Sequence, residues 1–274
     1  RRRPQNIERP QRQSLESSMT EILPYRANPA INISLLSKMA KSPKHFKWHQ
    51  NHPGEDKDTA AKRFGTAMHC ALLEPGKFAS RYQLCNANRR TKAGKAEVAE
   101  LAQDGLIPLK ASEMATISGM MHAIDEHPLA RDIVRNKSAK REQELYWTHR
   151  GVDCKGMVDG IDLETGMVWD IKTCANAEVY RFARSATDFH YFAKAPWYLN
   201  GAKENYGQDF EWRFICVEKT EPFAVGVYEI DCDSLEAGRQ QWTTWLDTYI
   251  RCSAQDVWPD INDGMKEILI APPW

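Results

Sequence analysis

Apolar positions recur at three- and four-residue intervals through the first half of the chain, then switch to alternation, then return to helical spacing. Leu35, Leu36 and Met39 form a stripe behind Ser34, which reads as an N-cap, and Ser42-Pro43 stops that helix. A second helix is predicted over about residues 59–73, with Pro75 and Gly76 beyond its end, and a third runs through about 103. A fourth, over about 112–126, carries Met114, Ile117, Met120, Met121 and Ile124, a stripe that marks core more often than a special surface. From about 143 the period becomes two, with Leu145 and Trp147 alternating against Glu144 and Tyr146, and strands continue to about 173. Helices at about 177–185 and 195–206, strands at 211–217 and 223–230, and a closing helix at about 234–250 with Trp242 and Trp245 complete the pattern. There is no internal repeat. Strands grouped centrally between helices predict an α/β fold, a central mixed β-sheet flanked by helices.

Within the β-rich middle, residues 154–173 read as two strands joined by a Glu164-Thr165-Gly166 turn. Side chains alternate along a strand, so Asp170 and Lys172 share one face while Trp169 and Ile171 share the other. A two-residue hairpin loop sets Asp159 opposite Asp170, and facing like charges are destabilising unless something positive lies between them. A hard divalent cation meets that need, since it takes oxygen ligands and binds through one or two carboxylates plus substrate phosphate. A bulge at Gly166 would shift the register and turn Asp159 to the other face, and both registers fit the sequence. Taken alone, an Asp-x-Lys tripeptide is more often a surface ion pair than a site.

Composition narrows the picture further. The chain has 274 residues, 42% of them hydrophobic, enough for a large α/β core. Its formal net charge is zero, so any contact with nucleic acid must come from a local patch. Seven cysteines are scattered without a C-x-x-C pair, which argues for reduced thiols in a cytoplasmic protein and against a disulfide framework, a zinc site or an iron–sulfur cluster. No run approaches the roughly 18 apolar residues of a membrane span, and no signal peptide is visible. Residues 1–30, rich in Arg, Pro and Gln, read as a basic, poorly ordered arm or linker, and 31–274 as a single domain. A chain that opens on Arg is expected to be part of a longer one.

Two further features carry two readings each. His69 lies on a mostly apolar helix in G-T-A-M-H-C, on the same side as Gly65; a lone histidine there is usually a satisfied boundary residue. Arg89, Arg90, Lys92 and Lys95 make a basic cluster that is either a solvated face or a set of phosphate contacts.

Taken in order, several segments resemble the RecE (exonuclease VIII) and phage lambda exonuclease branch of the PD-(D/E)XK nuclease superfamily, with RecE the nearer. They are I-S-L-L-S-K-M-A-K-S-P (33–43), G-T-A-M-H-C-A-L-L-E-P-G-K-F (65–78), N-R-R-T-K-A-G-K (88–95), E-x-x-L-Y-W (142–147), the V-D and D-I-K of the hairpin, W-Y-L-N-G (197–201), and the closing W-P-x-I and P-P-W. The resemblance implies a Mg2+-dependent 5′ to 3′ exonuclease acting on double-stranded DNA ends in recombination, with Mn2+ as a substitute ion. His69, Asp159, Asp170 and the carbonyl of Ile171 would hold the metal, Lys172 would orient the attacking water, and Glu142 would occupy the acidic position ahead of the hairpin. Ser34 would hold a terminal phosphate. The implied partners are a RecT-like single-strand annealing protein and further copies of the chain in a ring. Two positions depart from the family. The Gln four residues before Tyr198 is Lys194, a cation that would meet either phosphate or a site carboxylate, and the Arg-Pro before the first Asp is Met157-Val158.

Overall fold

The computed structural model describes residues 24–54, 59–88 and 90–264, so most of the expected arm lies outside the described residues. In chain order the elements are β1 (Ile31–Asn32), α1 (Ile33–Leu36), α2 (Pro43–Asn51), α3 (Ala60–Leu73), α4 (Pro75–Arg81), β2 (Tyr82–Leu84), α5 (Lys92–Gln103), β3 (Ile107–Leu109), α6 (Ala111–Glu126) and α7 (Pro128–Val134). There follow β4 (Lys140–His149), β5 (Val152–Asp162), β6 (Met167–Cys174), α8 (Val179–Asp188), α9 (Tyr191–Tyr206), β7 (Glu211–Glu218), β8 (Val225–Tyr228) and α10 (Cys232–Gln255). Among the described residues no helix is long and apolar enough to cross a membrane.

The central sheet is mixed. β4 and β5 are antiparallel, as are β5 with β6 and β7 with β8, whereas β6 with β7 and β1 with β5 are parallel. β4 occupies one edge of β5 along almost its whole length. The other edge is divided: β1 pairs at Cys154 and Lys155, and β6 pairs only from Gly160 to Asp162. The sheet therefore forks between residues 155 and 160 of β5.

Alternation along β6 and β7 sorts the core into two layers. Val168, Trp212, Phe214 and Cys216 pack with Trp197, Trp242 and Leu246 of α9 and α10, while Trp169, Ile171, Ile215 and Val217 pack with Met68, Leu72, Ile117 and Met120 of α3 and α6. The β5–β6 hairpin keeps the register in which paired residue numbers sum to 329, but pairing ends at Asp162 and Met167, so the loop is 163–166. Asp162 is buried and closes that loop, accepting from Glu164 N, Thr165 Oγ1 and Asn136 Nδ2 at 2.9, 2.7 and 2.8 Å.

Several local expectations change. The N-cap of α1 is Asn32, whose side chain accepts from Leu35 N; Ser34 sits inside the first turn. Ser42-Pro43 starts a helix as well as ending one: Ser42 caps α2 and Pro43 stands at N1, where its missing N–H costs nothing. Pro75 does the same for α4. Helix α9 begins at Tyr191 and runs through Pro196. Pro196 offers no N–H to the Phe192 carbonyl, and that carbonyl faces the bare backbone of Gly238 on α10, where an added Cβ would lie 1.8 Å from it.

Gly238→Ala is therefore expected to push α10 off α9 and destabilise the protein by about 1–3 kcal/mol, a loss that chemical denaturation would read as a lower midpoint at unchanged slope.

Candidate active site

The fork opens at the hairpin aspartates. One residue past the last ladder pair, Asp159 Oδ2 accepts from Ile171 N at 2.6 Å, so a side chain on β5 takes an amide of β6 where the two backbones part. Asp159 and Asp170 are therefore neighbours across the gap without being ladder partners. Val168 and the cleft-lining Trp212 and Phe214 share the sheet face of Asp170 and Lys172, while Trp169 and Ile171 are buried on the other side.

Helix α3 supplies His69, whose Nδ1 lies 3.5 Å from Asp159 Oδ1. Glu142 comes from β4. Its neighbours pair as Arg141 with Gly160 and Gln143 with Val158, which sets Glu142 opposite Asp159. Glu142 has φ +47°, a left-handed conformation that costs a non-glycine residue of order 1–3 kcal/mol and that collects at functional sites. Ligand atoms of His69, Glu142 and Asp159 all lie within 4.8 Å of one another. One imidazole and two carboxylates fit a divalent cation such as Mg2+ or Mn2+. Asp170, expected in the same ligand set, lines the adjoining cleft with His69 and forms an ion pair with Lys172. Ile171 contributes its amide to Asp159.

The charges are mutually dependent. Burial opposes ionisation of Asp159, but His69, Lys172 and the Ile171 amide outweigh it and hold its carboxyl below the ordinary value. Burial lowers the His69 imidazole, yet Asp159 more than compensates and holds it up at about 8. Burial, then the Asp159 charge, push Glu142 up to about 7. Burial raises Asp170, and Lys172 only partly offsets it. Burial disfavours the Lys172 ammonium, but Asp170 and Asp159 together hold its pKa above the usual lysine value.

Ser34, Lys194 and Tyr198 line the same cleft as Asp170 and Lys172. Lys194 Nζ lies 5.2 Å from the Tyr191 ring centroid and Lys172 Nζ 5.0 Å from it, so both cations contact this ring. Burial, then Lys172, lower Lys194 to about 8. Tyr198 stacks on Trp212 at 5.8 Å and covers Gly156, where a Cβ would meet the ring at 2.8 Å. Tyr191 was not singled out from the sequence. Its signal is the helical spacing 191, 194, 198, hidden because Pro196 reads as a helix start. The basic cluster is not brought here: Arg90 borders a separate groove with Asn88 and Lys110, Lys92 and Lys95 are exposed on the first turn of α5, and Arg89 lies outside the described residues.

A family model described as a PDDEXK-like domain of unknown function (DUF3799) matches residues 32–267. The chain belongs to this family. In this PDDEXK-like domain the V-D and D-I-K positions are Asp159 and the Asp170–Lys172 pair. A crystal structure described as “Putative exonuclease” from Eubacterium rectale is similar over 90% of this chain and 91% of that one, with TM-score 0.62 and 12% identity, which establishes the shared fold. The structure of SSO0001 aligns with 69% of this chain and 94% of its own at 16% identity, but a TM-score of 0.29 carries no argument. No curated protein matches the chain. Family and site together support a nuclease.

Because protons on His69 and Glu142 compete with a cation for the same lone pairs, Mn2+ affinity is expected to fall as pH drops from 8 to 6, with protons released on binding. Titration calorimetry in buffers of different ionisation enthalpy checks this. Asp159→Ala should abolish the binding, and Lys172→Ala should leave most of it.

Proposed function

We propose that this PDDEXK-like domain is a Mg2+-dependent exonuclease that degrades double-stranded DNA 5′ to 3′ from its ends, in phage- or prophage-type recombination by single-strand annealing. The observation that carries the hydrolytic part is the His69–Glu142–Asp159 donor group beside the Asp170–Lys172 ion pair in one cleft. End dependence and polarity rest on the resemblance to RecE, and the description of the Eubacterium rectale protein as a “Putative exonuclease” agrees with end dependence. On the same resemblance the working form is a ring of identical chains, and the partner a RecT-like annealing protein.

Phosphodiester hydrolysis needs an activated water, stabilisation of charge on the phosphoryl oxygens and protonation of the leaving 3′ oxygen. His69, Glu142 and Asp159 would hold a divalent cation, which when bound would supply Lewis acidity and a more acidic water. Lys172, kept charged by Asp170, presents a fixed ammonium to the phosphoryl oxygens in a cleft partly closed to solvent. Lys194 and Ser34 offer a cation and a hydroxyl to the neighbouring phosphate. Lys194 lies over Tyr191 and forms no ion pair with Asp170 among the described residues, which favours a phosphate contact over a blocked site.

A linear duplex labelled separately at each 5′ end, set beside a closed circle, tests the reading. Mg2+-dependent loss of linear DNA only, with the 5′ label released first, is expected; cutting of the circle would make the protein an endonuclease. Lys172→Ala is expected to slow single-turnover cleavage on the order of a hundredfold while DNA affinity in Ca2+ falls much less. An affinity loss as large as the rate loss would reduce Lys172 to a DNA contact.

A further inference from the structure

The donor group is open on two sides. One cleft lies over β6 and β7, lined by Asp170, Lys172 and Lys194. A second lies over β4 and β5, where Glu142, Met157 and Asp159 form one wall. His69 is the residue that borders both. The opposite wall of the second cleft carries three cations from three separate segments: Arg26 from the chain before β1, Lys62 from α3 and Arg81 from the last turn of α4. All three are exposed, and among the described residues none is held in an ion pair. The remaining carboxylate of this cleft, Glu74, is paired with Lys77.

Arg26 is set in place deliberately by the fold. Residues 24–28 form a turn in which Ala27 N and Asn28 N both donate to Pro24 O, at 2.8 and 3.1 Å. Beneath it the nearly buried Lys155 donates from Nζ to the carbonyls of Tyr25 and Asn28 at 2.7 and 2.6 Å, with the Tyr25 ring 4.7 Å away. A buried ammonium placed against carbonyls pins the turn from below and leaves the Arg26 side chain in the cleft.

Resting on the nuclease reading above, we infer that this second cleft is a strand-binding subsite. It takes the sugar–phosphate backbone on the opposite side of the scissile phosphate from the nucleotides held by Ser34 and Lys194. Three cations with no ion pair among the described residues match a run of phosphates, and the half-exposed Met157 gives an apolar floor for a sugar.

The test compares the full chain with the Arg26→Ala/Lys62→Ala/Arg81→Ala variant, binding a short duplex in Ca2+ at several salt concentrations. The variant is expected to fold as wild type by circular dichroism, to bind at least about tenfold more weakly, and to lose about two to three units of the salt slope. A scan with single methylphosphonate linkages locates the contact. Neutral linkages on one side of the scissile phosphate should weaken the wild type several-fold and leave Arg81→Ala unaffected, and those coupled to Lys194→Ala should lie on the other side. Unchanged affinity and slope in the triple variant, or both couplings on the same side, would overturn the subsite while leaving Mg2+-dependent cleavage by the wild type intact. A wild type that neither binds nor cuts DNA would overturn both readings.

Discussion

The hydrogen bond from Ile171 N to Asp159 Oδ2 is the constraint on which the site depends. Once β5 hands its edge from β6 to β1, the Ile171 amide has lost a backbone partner and must find another, since an unsatisfied buried donor costs about 1–3 kcal/mol. Asp159 fills that vacancy with one oxygen and keeps the other for His69. The same bond fixes where β6 parts from β5, and so where Asp170 and Lys172 stand relative to β4 and α3. Hairpin, helix and edge strand each deliver one side chain to the gap. Burial then raises the cost of every uncompensated charge in it.

That cost explains the pattern of perturbed groups. Asp159 is the shared anion, pulled down by His69 and Lys172, and its charge in turn pushes Glu142 up. Asp170 and Lys172 settle their charges against one another. With carboxylates on three neighbouring strands and one fixed ammonium, the arrangement is poised for a divalent ion on one side and an anionic ligand on the other.

The hairpin was legible in the sequence because two-residue alternation and a Gly-containing turn leave few registers open, and the register that set Asp159 against Asp170 is the one observed. The β4–β5–β6 core and the longer helices α3, α6 and α10 were legible for the same reason: long segments repeat one period many times. The short helices α2, α4 and α7 were not. Pro43 and Pro75 each read as stops, whereas each opens a helix, because proline ends one element and begins the next with equal ease. The forked edge of β5 left no local trace, since it depends on β1, over a hundred residues away. Nor did the left-handed backbone at Glu142, which bears no glycine to announce it. His69 was placed near the aspartates by resemblance, as helical spacing alone cannot say which strand a helix crosses.

Diffraction from crystals soaked in Mn2+, collected at a wavelength where manganese scatters anomalously, bears most directly on the metal group. One anomalous peak within coordination distance of His69, Glu142 and Asp159, absent from crystals of Asp159→Ala, is the predicted result. A peak elsewhere on the chain, or one held by Asp170 with His69 and Glu142 turned away, would contradict the account.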